Sequence, residues 1–376
     1  MNNRIIFFSI FSILLTVLLT ATVTTYYLNL KFENNFSTNG IYLHRYQTSD
    51  FYKSHPKLIG SNPFDIDTTY KRILSNFPYE ENQHGTIDKN IVQMWIGKDK
   101  NMDNIPWKEL RARWVDLNPD HNYTLFTGSE VRDAVRKTFK DTVPEVWEAF
   151  STLPMTILES DFSRYVILFL QGGIWADLDT VCERPVEDWF HLNVNSDIGF
   201  VAGVEQDYNS NGYLGFTSRR IQFLQWSFMA RKYHPILALA IANIVKVTFK
   251  AKADGKFQVY YNTFRDVDKC KSIDIMDWTG PGIFSDTVYQ YMSNLQNPDI
   301  LDFDFERSNG REELIGPSIN EKINWKFFTG LRHPVIVNND VCILPRSGLR
   351  CMDYDPSLEE YCYVSHKFSG SWKSGN

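Results

Sequence analysis

The stretch Asp177-Leu178-Asp179 sets two carboxylates two positions apart. On strand-like backbone such side chains point the same way; in a turn they can share one cation. Hard divalent ions favour this oxygen chemistry and accept phosphate oxygens as further ligands. A solvated acidic turn would use the same residues, but an apolar run, a Gly-Gly pair and an aromatic strand lead into this one. Upstream, Asp161, Arg164 and Tyr165 stand at i, i+3 and i+4 and so share one helix face. Their helical neighbours are nearly all apolar. A buried acid and base must pair with each other or face a ligand cavity, and the sequence allows both. Asp161, Arg164, Asp177 and Asp179 are the candidate catalytic residues.

These groups need elements to hold them. Asp161–Gln171 predicts a buried helix stopped by Gly172-Gly173, and Ile174–Ala176 predicts a short strand that delivers the two aspartates. Ahead of it, Asn90–Ile96 reads as a buried strand and Pro106–Leu117 as a helix. Tyr123–Phe126 reads as a second strand, and Ser129–Phe139 as a helix capped by Ser129. Alternation of strand and helix is the α/β pattern, and in such sheets nucleotides bind at the carboxyl ends of the strands.

Further along, Arg219 and Arg220 offer either groups for phosphate or sugar hydroxyls or a solvated face. Trp226 and Phe223 fit a core better than a sugar platform. Trp278-Thr279-Gly280-Pro281-Gly282 precedes a helix predicted over Ile283–Met292 and can present N–H groups to an anion. Trp278, Gly280 and Gly282 are therefore substrate-contact candidates, with an ordinary loop as the alternative. Ser369-Gly370-Ser371-Trp372 places small residues beside one large ring, as a lid over a ligand or a frayed terminus would.

Composition narrows the class. The 376 residues are 43% hydrophobic and 15% aromatic, enough for a large core with rings to spare. A net charge of −6 provides no global basic field for nucleic acid. Five cysteines are too few for a disulfide scaffold, and no CxxC spacing suggests a zinc cluster. Ile5–Leu30 carries no charge and is long enough for a spanning helix. A cleaved signal peptide would have a shorter apolar run. Residues 1–4 then form a short cytoplasmic tail, 5–30 a transmembrane signal anchor, 31–87 a polar stem, and 88–376 a lumenal catalytic domain. The sequons at Asn35 and Asn122 fit a lumenal placement as glycosylation sites.

The block Asp161–Thr180, DFSRYVILFLQGGIWADLDT, resembles the signature of glycosyltransferase family 32, whose members have a GT-A fold. Ser218–Trp226, His234–Leu237, Trp278–Gly282 and Val364–Trp372 resemble its fungal initiation-specific α-1,6-mannosyltransferase branch. The likeness runs from about residue 90 to 373. It implies an α/β, GT-A type nucleotide-sugar-binding fold behind a single N-terminal transmembrane helix and stem. It implies a Golgi type II membrane enzyme that moves mannose from GDP-mannose to an N-glycan on a glycoprotein, in a branch that includes paralogues acting beside other mannosyltransferase subunits. By the same resemblance Asp177 and Asp179 would hold Mn²⁺ on the donor diphosphate. His366 would be a carboxyl-terminal metal or diphosphate ligand, where a lone histidine would otherwise be structural or solvent-facing, and Asp161 and Arg164 would contact the donor's ribose and sugar. Tyr165, Arg220, Ser369 and Trp372 complete the substrate-binding set.

Other readings keep the same residues. Some family members mannosylate inositol phosphorylceramide and others transfer galactose. A haloacid-dehalogenase-type phosphatase also begins with DxDxT/V, which Asp177–Val181 fits, but it wants a long apolar strand directly ahead. A tethered nucleotide-sugar-binding subunit without turnover is the third alternative.

Overall fold

The computed structural model describes residues 41–42, 66–79, 87–97, 105–189, 198–208, 217–253, 275–296, 323, 325–332, 334–337, 340–346, 348–351 and 362–368. The predicted anchor, Asn35, Ser369 and Trp372 lie outside them. Among the described residues no helix is long and apolar enough to cross a membrane.

In chain order the strands are β1 (Ile41–Tyr42), β2 (Asn90–Trp95), β3 (Asn122–Thr127), β4 (Gly173–Ala176), β5 (Thr180–Cys182), β6 (Phe200–Asp207), β7 (Ile221–Phe223), β8 (Ser227–Ala230), β9 (Val335–Val337), β10 (Val341–Leu344) and β11 (Val364–His366). The helices are α1 (Ile66–Asn76), α2 (Lys108–Leu117), α3 (Gly128–Phe139), α4 (Pro144–Ser151), α5 (Thr156–Gln171), α6 (Pro235–Ala253), α7 (Ile275–Trp278) and α8 (Pro281–Gln296). The main sheet runs β1-β9-β10-β6-β8-β4-β2-β3, with β7 beside β6. Strands β3, β2 and β4 are parallel, β8 is antiparallel to both β4 and β6, and β6 and β10 are parallel again. β11 and β5 form a separate antiparallel pair.

Side-chain alternation along the strands supplies two cores, one on each face. Val92, Trp175, Phe228, Ala230, Val341 and Ile343 join the larger core. Ile91, Ile174, Met229, Cys342 and Leu344 join the smaller one, with Trp114, Trp189 and Tyr363. Helix α6 is buried along nearly its whole length in the larger core, which is why its apolar residues show no single face.

Several local details depart from the sequence expectation. Helix α3 is capped by Thr127, not Ser129: the Thr127 hydroxyl accepts from Glu130 N, and the Glu130 carboxylate accepts from Thr127 N. That reciprocal box outcompetes a lone Ser inside the first turn. Helix α1 falls in the stretch read as stem, and Tyr70 and Ile73 bury themselves in the larger core. Cys351 and Cys362 form a disulfide, while Cys182 and Cys342 are free and buried.

Helix α5 begins at Thr156, a turn earlier than read, and ends at Gly172. Gly172 and Gly173 hold φ of 67° and 102°, where side chains are strained. A Cβ on Gly173 would stand 2.3 Å from the Asn90 carbonyl oxygen. The glycine pair thus lets the chain reverse from α5 into β4, tight against β2, and this aims Asp177.

Candidate active site

The site lies where β4 ends. Asp177 N donates to the Trp226 carbonyl (2.8 Å). The Asp177 carbonyl accepts from Thr180 N (3.1 Å), Thr180 Oγ1 (2.6 Å) and Gln93 Nε2 (3.2 Å). A short turn closed by these bonds separates β4 from β5. The first carboxylate is therefore set by backbone, and Trp175 Nε1 fixes it further by donating to Asp177 Oδ1 (2.7 Å).

The third member comes from β11. Its register against β5 places His366 opposite Thr180. His366 Nε2 then lies 3.3 Å from Asp179 Oδ1, and Phe368 N donates to His366 Nδ1 (2.8 Å). Asp177, Asp179 and His366 each offer one ligand atom, all within 4.8 Å of one another. Two carboxylates and an imidazole, none fully buried, form a donor set that suits a divalent cation with positions left for other ligands, the imidazole giving up its Phe368 bond to free a lone pair for the ion.

Arg164 reaches this cluster from helix α5. Its Nη2 pairs with Asp161 Oδ1 at 2.9 Å and with Asp177 Oδ2 at 3.5 Å. The ion pair within the helix and the contact to the site, alternatives in the sequence, coexist. Arg164 Nε is buried and has no hydrogen-bond partner among the described residues. Asp161 also accepts from Thr279 Oγ1 at 3.2 Å. Gln225 is satisfied with its amide oxygen toward Arg164 Nη1 (3.0 Å) and its nitrogen toward the Thr279 carbonyl (3.2 Å). Tyr165, fully buried behind the pair, donates to the Thr279 carbonyl (3.0 Å) and stacks on Phe284.

Burial pushes the Asp161 carboxyl up to about 6, with Arg164 opposing and Asp177 adding to the rise. Burial also lifts Asp177, again against Arg164. It would lower the Arg164 guanidinium, but Asp177 and Asp161 outweigh it, and the group is held charged. The result is a partly desolvated anionic cluster with one cation behind it. A bound metal would add the charge that this cluster lacks.

The other sequence candidates lie apart from the cation cluster. Arg220 donates from Nε to the Tyr208 carbonyl (3.0 Å) and lies over the Trp325 ring at 3.8 Å. Its neighbour Arg219 is buried between Asp286 and Asp277. Trp278 is wholly buried and donates to Thr248 Oγ1 (2.9 Å). Gly280 and Gly282 pack against residue 276: a Cβ would stand 2.7 Å from Met276 Cα in the first case and 2.7 Å from its carbonyl oxygen in the second. Thr279, between them, is the residue of that segment that touches Asp161. Asn122 and Thr124 are both exposed on edge strand β3. Sequence reasoning missed Gln225, Thr279, Gln93 and Trp175 as supporting groups; proximity in the fold alone relates the first three to the acids, whereas the two-residue spacing of Trp175 from Asp177 on a strand was a signal available in the sequence.

Residues 106–195 match the family model described as a glycosyltransferase sugar-binding region containing a DXD motif. That segment carries Asp161, Arg164, Asp177 and Asp179, and the protein is a glycosyltransferase. The chain is 33% identical over 320 residues to the initiation-specific alpha-1,6-mannosyltransferase of Candida albicans, covering 82% of this chain and 77% of that one. It is 28% identical over 387 residues to the Saccharomyces cerevisiae protein of the same name, covering 79% and 80%. It therefore belongs to glycosyltransferase family 32, in the branch of the fungal initiation-specific α-1,6-mannosyltransferases. A shorter match, 27% identical over 176 residues, is to inositol phosphoceramide mannosyltransferase 3 of Schizosaccharomyces pombe, covering 46% of this chain and 42% of that one. Family membership sets aside the phosphatase reading of Asp177–Val181.

Proposed function

We propose that this protein is a Golgi type II membrane mannosyltransferase of GT-A fold that moves mannose from GDP-mannose to a mannose of an N-glycan, forming an α-1,6 linkage with retention. The observation that carries the reading is the Asp177–Asp179–His366 cluster backed by Arg164, in a chain alike along most of its length to named α-1,6-mannosyltransferases.

In this reading Asp177, Asp179 and His366 would hold a divalent cation, Mn²⁺, at the donor-binding site. When bound, the ion neutralises the charge that grows on the departing nucleotide. Arg164, charged and with Nε still unpartnered, adds a donor on the same side. Asp161 holds Arg164 and, with it, faces the donor's ribose and sugar. Trp175 and the Thr180 turn fix the first carboxylate before any ligand arrives, so little reorganisation remains for the reaction. Both oxygens of Asp161 are already engaged, by Arg164 and Thr279. With Asp161 so engaged and Asp177 and Asp179 given to the cation, a same-face transfer, in which the departing phosphate takes the acceptor's proton, fits better than attack by an aspartate nucleophile.

The test is sugar incorporation by the full chain in detergent with Mn²⁺, GDP-mannose or UDP-galactose, and a high-mannose glycan, read by mass spectrometry. Mannose gain that vanishes with EDTA and in Asp179→Ala supports the reading, and linkage analysis then assigns the bond. Transfer only to inositol phosphorylceramide would move the acceptor to the lipid class. Metal-dependent GDP binding without transfer to any acceptor would make the chain a binding subunit.

A further inference from the structure

The candidate cation ligands come from two distant chain segments, and Trp226 touches both. Its carbonyl accepts from Asp177 N (2.8 Å), which secures the first carboxylate. Its indole lies against the imidazole of His366, with ring centroids 4.7 Å apart and planes inclined by 48°. Phe368 also lies against the imidazole, with centroids 4.2 Å apart, and meets the Trp226 ring edge-on at 6.3 Å.

The indole is itself oriented. Trp226 Nε1 donates to Glu205 Oε1 (3.2 Å), and Gln222 Nε2 donates to Glu205 Oε2 (2.7 Å). Glu205 sits on β6 and Gln222 on β7, so the sheet fixes the carboxylate that fixes the ring. Trp226 is 5% exposed, too covered to serve as an open sugar platform. Phe368 also holds the imidazole, through its N–H to Nδ1 and its ring; Trp226 adds the contact that comes from the sheet, and a cation ligand must present its nitrogen within a narrow cone.

We infer that Trp226 is a positioning residue for His366, with Glu205 holding the indole in place, so that the Glu205–Trp226 pair sets cation affinity without touching the cation. The inference rests on the metal-site reading above.

Mn²⁺ alone, titrated into the purified full chain and followed by the electron paramagnetic resonance of unbound ion, tests it. Trp226→Leu, which keeps the backbone carbonyl, is expected to weaken Mn²⁺ binding by about 10- to 100-fold, the usual effect of losing a group that orients a metal ligand. Glu205→Ala should weaken it in the same direction, and Glu205→Gln, which keeps an acceptor for Nε1, should restore most of the affinity. The double variant Trp226→Leu/His366→Ala should bind no more weakly than His366→Ala, because the brace has no ligand left to orient. Wild-type affinity in a folded Trp226→Leu protein, or additive losses in the double variant, would overturn the inference. If Trp226→Leu does not fold, Glu205→Ala decides, and unchanged affinity there overturns it. A wild-type chain that binds no Mn²⁺ would instead overturn the metal-site reading itself.

Discussion

Two clusters in this molecule place an arginine between two aspartates, and they are built for different ends. Arg219 is closed on every side. Its Nε donates to Asp286 Oδ1 (2.5 Å), its Nη2 pairs with Asp286 Oδ2, and its Nη1 meets the Ser218 carbonyl (2.7 Å) and Asp277 (2.8 Å). Arg164 is left open. It shares one nitrogen between Asp161 and Asp177, keeps a buried Nε without a partner, and leans on a carboxylate whose side chain is 25% exposed. A bidentate fork satisfies both charges and stiffens the fold. An incomplete one leaves a donor unsatisfied beside a partly exposed carboxylate, a pattern common at functional sites. Residue type is the same in both; only the number of donors already spent distinguishes structure from function.

That contrast can be broken from either side. The largest effect is expected at the open cluster's outer edge. Asp179→Ala should lower kcat/KM for sugar transfer by at least about 100-fold, since it removes a candidate ligand of the cation that would neutralise charge developing on the departing nucleotide. Thermal unfolding in EDTA should be nearly unchanged, and normal turnover would refute the assignment. At the closed cluster the outcome inverts. Asp286→Ala leaves Arg219 buried without its main partner and should cost about 3–5 kcal/mol of stability, seen as a lower urea midpoint. The fraction that stays folded should keep its KM for the donor; a stable but inactive Asp286→Ala protein would erase the distinction.

Asp177→Asn sharpens the comparison. Burial already penalises the ionised form of Asp177, so the amide should melt no lower than wild type at neutral pH in EDTA while activity is lost. A drop in melting temperature as large as that of Asp286→Ala would show that Asp177 serves the fold first. The smallest effect concerns pH. Asp161 titrates near 6 when folded, above the ordinary value of 3.8. Its neutral form therefore favours the fold, with that stabilisation complete below about 4 and lost as pH rises through 6. If the ionised form holds Arg164 for the donor, kcat/KM should fall on the acid side of about 6. Thr279→Val removes a hydroxyl that favours the ionised form, and so should shift that limb upward by a fraction of a unit. An unmoved limb would separate Asp161 from the profile.

The open cluster was more legible in sequence than the closed one. Asp161, Arg164, Asp177 and Asp179 lie on one continuous stretch, so helix periodicity, a glycine stop and a short strand suffice to place them together. The same reading reached β2, β3, α2 and α3 within a few residues, because each is bounded by turn or capping residues. What failed was long-range. Nothing about Arg219 and Arg220 in sequence says that the first meets Asp277 and Asp286 while the second lies on Trp325. Trp278 looked like a ligand contact because its neighbours are glycines, yet those glycines admit close packing of α7 on α8 and leave the indole in the core. Helix α1 hides in a polar stretch because it contributes only a few apolar residues, and its partner, α6, begins far downstream.

The pairing of β11 with β5 also has a consequence for biosynthesis. β11 follows every other described element in chain order, so it is the last of them to leave the ribosome. Until it does, the nascent protein can display Asp177 and Asp179 but not His366. A stalled product lacking that strand would carry the acidic motif without the complete cation site. Competence to load a cation would then wait on the pairing of β11 with β5.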